Sequence, residues 1–330
     1  MAINSEKQSF DTLVVITAPD FDRLKSNYPR LINNLPSEKI IFIGSEEVGT
    51  KCEELINNVS NPDKISFINE NDILNFDLVH NTVVKHLSPF LNGQTIPRRV
   101  TGWYYQQFLK MNYSLYCNND YYMTWDGDTI PCKSFSMFQE GSNAPYMDIK
   151  TEFHPQYFDT MAKLIPGMHK CISKSFISEH MLFNTSYMKK MIESIENNKE
   201  IDGDKFYEKI IYAIEPNKFQ DGCFSEFETY GTYLCLNDPF LYKLREWHSF
   251  RLGGEFFDPE TIDDADYEWL SKDFFAISFE KGHSVRDDHK NLFDNKDYQS
   301  KLSARKMLEV AQEAFTDGYI EVWEEGNNPT

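Results

Sequence analysis

Tyr121-Tyr122-Met123-Thr124-Trp125-Asp126-Gly127-Asp128-Thr129-Ile130-Pro131 decides how this chain folds. An aromatic, apolar run reads as a buried strand, and this one ends in two carboxylates flanking a glycine. Pro131 then stops the pairing. A strand that delivers two acids into a turn sets them at a sheet edge, where α/β folds bind their ligands. Two hard oxygen donors so close together suit Mg²⁺ or Mn²⁺, and such an ion suits a diphosphate.

The residues before this stretch say what kind of sheet it joins. Leu13-Val14-Val15-Ile16-Thr17 is a continuous run of the kind buried on both faces, broken by Ala18-Pro19-Asp20. A Leu/Ile-spaced helix is expected from there to about Asn34. Lys39 to Gly44 reads as the second strand, with Ser45 as N-cap of a helix over Glu46 to Val59. Lys64 to Asn69 reads as the third strand. Strand and helix alternate three times, the βαβ signature of a parallel, doubly wound sheet.

Residues 70–100 show no clear period, and Ile96-Pro97-Arg98-Arg99 reads as a loop. Thr101 to Cys117 is expected to be the helix that feeds the acidic strand. Strands are expected at 145–149, 177–184, 241–246 and 274–280. Helices are expected at 155–165, 186–197, 204–213, 225–235 and 300–315, before an acidic tail ending at Thr330.

Composition narrows the partners. The chain has 330 residues, enough for one large α/β domain with a smaller C-terminal addition, and 41% of them are hydrophobic. The net charge is 33 − 52 = −19, which repels nucleic acid and anionic lipid surfaces. A phosphate-bearing ligand must therefore be held locally, by a cation, helix N-termini or a few basic residues. Cys52, Cys117, Cys132, Cys171, Cys223 and Cys235 are scattered without a C-x-x-C pair, against a zinc site or a disulfide framework. The polar N-terminus carries no signal peptide, and no apolar run is long enough to span a membrane. The expectation is a reduced, cytoplasmic protein that reaches the inner membrane only through partners.

The order of elements, with Tyr122-Met123-Thr124-Trp125-Asp126-Gly127-Asp128, resembles the GT-A superfamily of nucleotide-sugar glycosyltransferases and its D-x-D motif. Gly102-Trp103-Tyr104-Tyr105-Gln106-Gln107-Phe108-Leu109-Lys110 resembles a helix placed just before that motif in bacterial members involved in surface polysaccharides. The resemblance covers roughly residues 11–250. It implies a Rossmann-like mixed sheet flanked by helices on both faces, forming a catalytic core over 1–250, with 251–330 an extension packed on it. It also implies an enzyme that moves a sugar from a nucleotide-diphosphate donor, most often a UDP-sugar, to a glycan hydroxyl. Carried over, Asp128 would be a direct ligand of Mn²⁺ or Mg²⁺, and Asp126 would reach the metal or the ribose.

Three further groups are candidates. Ser225 is a natural N-cap that puts Glu226 and Glu228 in a first helical turn. There they can simply complement the helix dipole, or one can be the general base that inverting transfer needs. The family usually writes Glu-Asp or Asp-Asp at this place, so Ser225-Glu226-Phe227-Glu228 leaves open which acid serves, with Glu226 favoured. His248 sits where the family places a third metal ligand or diphosphate contact, with His283 its competitor; lone histidines are more often structural. Glu179 and His180 line an acceptor pocket or simply belong to a core strand.

For the nucleotide and its sugar, Thr17, Asp20 and Asn69 follow strands at the ligand-binding edge, with Trp125 and Asp126 beside them. Arg99, Gln107 and Lys110 can donate to the base or phosphates, although Gln107 equally fits an exposed helix face. Trp103 reads as core. An aspartate-nucleophile phosphatase would place its Asp-x-Asp after the first strand, and here it follows a later one. A non-catalytic carbohydrate-binding module, using the many Tyr and Trp residues, would bind glycan without any nucleotide.

Overall fold

The computed structural model describes residues 8–90, 95–285, 293 and 295–312. The end of the expected 300–315 helix and the acidic tail lie outside the described residues. Five strands form the central sheet: β1 (Asp11–Val15), β2 (Ile40–Gly44), β3 (Ile65–Asn69), β4 (Tyr121–Trp125) and β7 (His180–Asn184). Their order is β3-β2-β1-β4-β7. The first four run parallel, and β7 lies antiparallel to β4. The sheet is therefore mixed. It shares its order of the first four strands with one half of a dinucleotide-binding fold, so the strand order reverses between β1 and β4.

Side chains alternate across the sheet and build two cores. Leu13, Ile41, Ile43, Tyr122 and Phe183 face one of them. Helices α4 (Glu70–Ile73), α5 (Phe76–Leu87), α6 (Arg98–Asn112), α7 (Pro155–Leu164), α8 (Thr185–Glu196), α9 (Phe206–Ala213) and α10 (Glu226–Asn237) cover that face. Val14, Phe42, Met123, Trp125 and Leu182 face the other core. It is covered by α1 (Ala18–Leu24), α2 (Tyr28–Asn34), α3 (Glu46–Ile56) and α11 (Asp264–Leu270). A small sheet of β5 (Thr129–Pro131), β10 (Ala276–Ser278) and β9 (Ser249–Phe250) adds to this second core. A parallel pair, β6 (Tyr146–Ile149) and β8 (Lys243–Glu246), sets β6 against β7, with Met147 and Ile149 in the first core.

Three local expectations change. The helix expected from Asp20 to Asn34 is broken by a turn at Lys25–Asn27, and Pro29 opens α2. A proline in mid-helix would lose a hydrogen bond and clash, whereas in a first turn it costs nothing. The stretch without a clear period holds α5, capped by Asn75, whose side chain accepts from the amides of Asp77 and Leu78. Asp77, Asn81 and Lys85 face solvent while Phe76, Val79, Thr82, Val83 and Leu87 are buried. Finally, Ile96–Arg99 is not all loop, because α6 starts at Arg98, directly after Pro97.

Candidate active site

The acidic pair lands where the strand order reverses. Gly127 lies against the end of β1: a Cβ there would be 3.0 Å from the Val15 carbonyl oxygen and 3.2 Å from Ile16 Cβ. Gly44, ending β2, is closer still, with a Cβ meeting the Ile16 oxygen at 2.6 Å. These glycines let the neighbouring strands close on β1, and Asp126 and Asp128 stand on either side of that contact.

Asp126 is held by two elements. Its amide donates to the Glu179 carbonyl oxygen at 2.8 Å, and its Oδ1 accepts from Lys110 Nζ at 2.7 Å. Glu179 adopts φ +62°, a left-handed conformation costly for a residue with a side chain, and it persists because its surroundings fix it. Its carboxylate receives Lys150 Nζ at 2.5 Å and Ser249 Oγ at 2.9 Å.

Asp128 keeps some open surface, yet protein atoms crowd its carboxylate. That burial, reinforced by Asp126 and Glu280, pushes its pKa up to about 7. The Asp128 carbonyl accepts the Phe279 amide at 2.8 Å, which brings Glu280 alongside. Glu280 in turn pairs with Arg251 at 2.7 Å, and Arg251 also pairs with Glu152. Sequence reasoning gave Glu280 no part in the site. The signal was present: Phe274 to Phe279 is another apolar run ending in an acid.

Glu226 belongs to the same corner and Glu228 does not. Lys110 Nζ reaches Glu226 Oε1 at 2.7 Å as well as Asp126, while Gln107 Oε1 accepts the Glu226 amide at 3.1 Å. Glu228 turns to the loop before β7, where Oε2 accepts Ser175 Oγ at 2.7 Å and the Phe176 amide at 2.9 Å. Burial works against the Lys110 ammonium, but Asp126 and Glu226 outweigh it and raise its pKa. Burial also raises the pKa of Glu226 against the opposing pull of Lys110. Lys110 and Gln107 are thus buried residues of the corner, and Gln107 is no exposed helix face. Trp103 differs in the other sense: it is 36% exposed, with its ring against Gly222.

The remaining candidates scatter. Thr17 caps α1, donating to Asp20 Oδ2 at 2.6 Å, and Asn69 donates to Glu46 Oε1 at 2.6 Å; Thr17 lies just past β1 and Asn69 is the last residue of β3. Arg99 is exposed on the first turn of α6. Trp125 is fully buried, stacked on Phe135, with its indole N–H given to the Thr129 carbonyl at 2.7 Å, so it lies beneath the crevice.

His248 is not brought to the acids. Its carbonyl accepts the Phe275 amide at 2.8 Å, four residues from the Phe279 amide that bonds Asp128. At the rise of an extended chain that is about 13 Å. Its ring contacts Arg305 at 3.4 Å. His283 follows Phe279 on the Asp128 side, 3.9 Å from Glu255. His180 is core: it is fully buried, with Nε2 on Asp148 at 2.8 Å, and Arg245 forks onto the same carboxylate at 2.6 and 2.7 Å.

Among the described residues, no group of three or more His, Cys, Asp or Glu side chains is arranged to hold a metal ion. Two carboxylates nevertheless fit Mg²⁺ or Mn²⁺, which commonly binds through one or two of them and completes its shell with water and substrate phosphates. The crowding of Asp128 by two other acids is the local charge such a cation offsets.

The model of a family of unknown function, DUF6492, matches residues 34–293. No curated protein matches the chain. Similar solved structures include mouse xyloside xylosyltransferase 1 in its apo form, at 12% identity over 84% of this chain and 100% of that one, with a TM-score of 0.41. The apo bifunctional glycosyltransferase WbbM is 11% identical over 93% of this chain and 52% of that one, with a TM-score of 0.42. This chain thus spans about half of the WbbM chain. The galactosyltransferase LgtC with donor and acceptor sugar analogs is 12% identical over 89% of this chain and 100% of that one, with a TM-score of 0.39. These are loose likenesses. Among the described residues, no helix is long and apolar enough to cross a membrane.

Proposed function

This chain belongs to the DUF6492 family, and we propose that it is a metal-dependent glycosyltransferase using a nucleotide-diphosphate sugar, with UDP as the nucleotide. The observation that carries the reading is the position of Asp126 and Asp128 at the point where strand order reverses between β1 and β4. The donor diphosphate lies over that edge. Thr17, Asp20 and Asn69 serve its base and ribose from the ends of β1 and β3.

Asp128 and Asp126 would hold Mn²⁺ or Mg²⁺, whose contribution is to neutralise charge on the departing nucleoside diphosphate. Glu226 stands one lysine away from Asp126 and takes the proton from the acceptor hydroxyl as that oxygen attacks the anomeric carbon. Direct attack gives inversion. Glu228, tied to Ser175 and Phe176, holds the neighbouring loop instead. The acceptor is a glycan of a surface polysaccharide and the enzyme works in the cytoplasm, both by resemblance alone.

A screen of nucleotide sugars for Mn²⁺-dependent hydrolysis tests this reading, since a transferase without acceptor slowly passes its sugar to water. One donor should be consumed with Mn²⁺ and spared with EDTA. Turnover that is indifferent to EDTA would remove the metal role. Glycan binding that needs no nucleotide, with no donor consumed, would leave a carbohydrate-binding module.

A further inference from the structure

Lys110 is a cation shared between two carboxylates of the crevice. Its Nζ makes two 2.7 Å contacts, to Asp126 Oδ1 and Glu226 Oε1, with 5% of its side chain exposed. It also lies 4.5 Å from the centre of the Phe227 ring. Its backbone is pinned too: Tyr122, on β4, donates its hydroxyl to the Lys110 carbonyl at 2.9 Å. One turn earlier on α6, Gln107 holds the Glu226 amide. Helix α6 therefore grips the first residue of α10 at both backbone and side chain, and the same ammonium grips the first acid of the pair.

We propose that Lys110 is a positioning residue that joins the two halves of the site, aiming Asp126 at the cation while fixing Glu226 beside it. The proposal rests on the transferase reading above. It departs from the expectation that Lys110 meets the donor phosphates itself, because its ammonium is buried between two carboxylates. With Oδ1 of Asp126 held by Lys110, Oδ2 is the oxygen presented to a metal or a ribose. Partners that orient a metal's ligands commonly change its affinity by about 10–100-fold when removed. Loss of a salt bridge that served the fold alone would lower stability and leave ligand binding unchanged.

The test is calorimetric titration of the full chain with Mn²⁺ in the presence of UDP, alongside thermal melting. Lys110→Met strands two carboxylates, so Lys110→Met with Glu226→Gln is run beside it to relieve that burden on the fold. Both should bind Mn²⁺ about tenfold more weakly than wild type. Glu226→Gln alone gives the baseline for the double variant, and Lys110→Arg should recover most of the loss. Wild-type affinity in the folded double variant would overturn the positioning role while leaving the transferase reading standing. No saturable binding by the wild-type protein would overturn both.

Discussion

Gly127 and Val15 meet so closely that a single added carbon on the glycine would lie 3.0 Å from the Val15 carbonyl oxygen. The contact sits between the two acids and at the end of the strand that β2 and β4 share. Gly127→Ala must therefore shift the turn after β4, or the end of β1, by a few tenths of an ångström where the donor is held. Overpacking of this kind costs about 1–3 kcal/mol. The expected outcome is a modest drop in melting temperature with a larger loss of Mn²⁺-dependent turnover. An alanine variant with wild-type turnover would show that the crevice does not need this closeness.

Asp128→Asn should separate function from stability. Asp126 and Glu280 crowd Asp128, so removing its charge relieves repulsion in the metal-free protein. Melting temperature without metal should stay level or rise, while Mn²⁺-dependent donor hydrolysis disappears. A large fall in melting temperature would make Asp128 a structural residue.

Glu226 and Glu228 should behave differently. Glu226→Gln keeps shape and removes the proposed base, so turnover should fall by about 10²–10⁴-fold in a fold of near wild-type stability. Glu228→Ala leaves the Ser175 hydroxyl and the buried Phe176 amide without their acceptor, at about 1–3 kcal/mol. Kinetics and melting curves of the two variants check this, and full turnover in Glu226→Gln would end its assignment.

Asp148 supplies a pH signature. Burial would raise its pKa, but hydrogen bonds from Arg245 and His180 prevail and hold it below the usual aspartate range. A carboxyl depressed in the folded state stabilises the protein above its unfolded value of about 4, and that stability is lost as pH falls through the folded value. Asp148→Asn should thus melt earlier at neutral pH, by an amount equivalent to about 3 kcal/mol, with the gap to wild type closing below about pH 4. Melting curves at stepped pH would show it; a gap independent of pH would contradict the assignment.

The strands of the central sheet were legible because they are short, apolar and β-branched or aromatic, and the acids ending β4 were legible because they interrupt such a run. Capping at Ser225 was legible for the same local reason: its side chain accepts the Glu228 amide. Helix α5 was missed since its polar residues outnumber its buried stripe. Partnerships were beyond reach of spacing. Lys110 and Glu226 are 116 residues apart, and only the packing of α6 against α10 reveals that a supposed phosphate donor is spoken for. The separation of His248 from Asp128 likewise follows from the register of the small sheet, which a single sequence does not contain.

Anomalous diffraction at the manganese edge, from crystals soaked with Mn²⁺ and UDP, tests the reading of the acidic corner most directly. One peak is expected between the Asp126 and Asp128 carboxylates and the UDP phosphates. A bound UDP with no manganese at that corner, or with both carboxylates turned away from the phosphates, would contradict it.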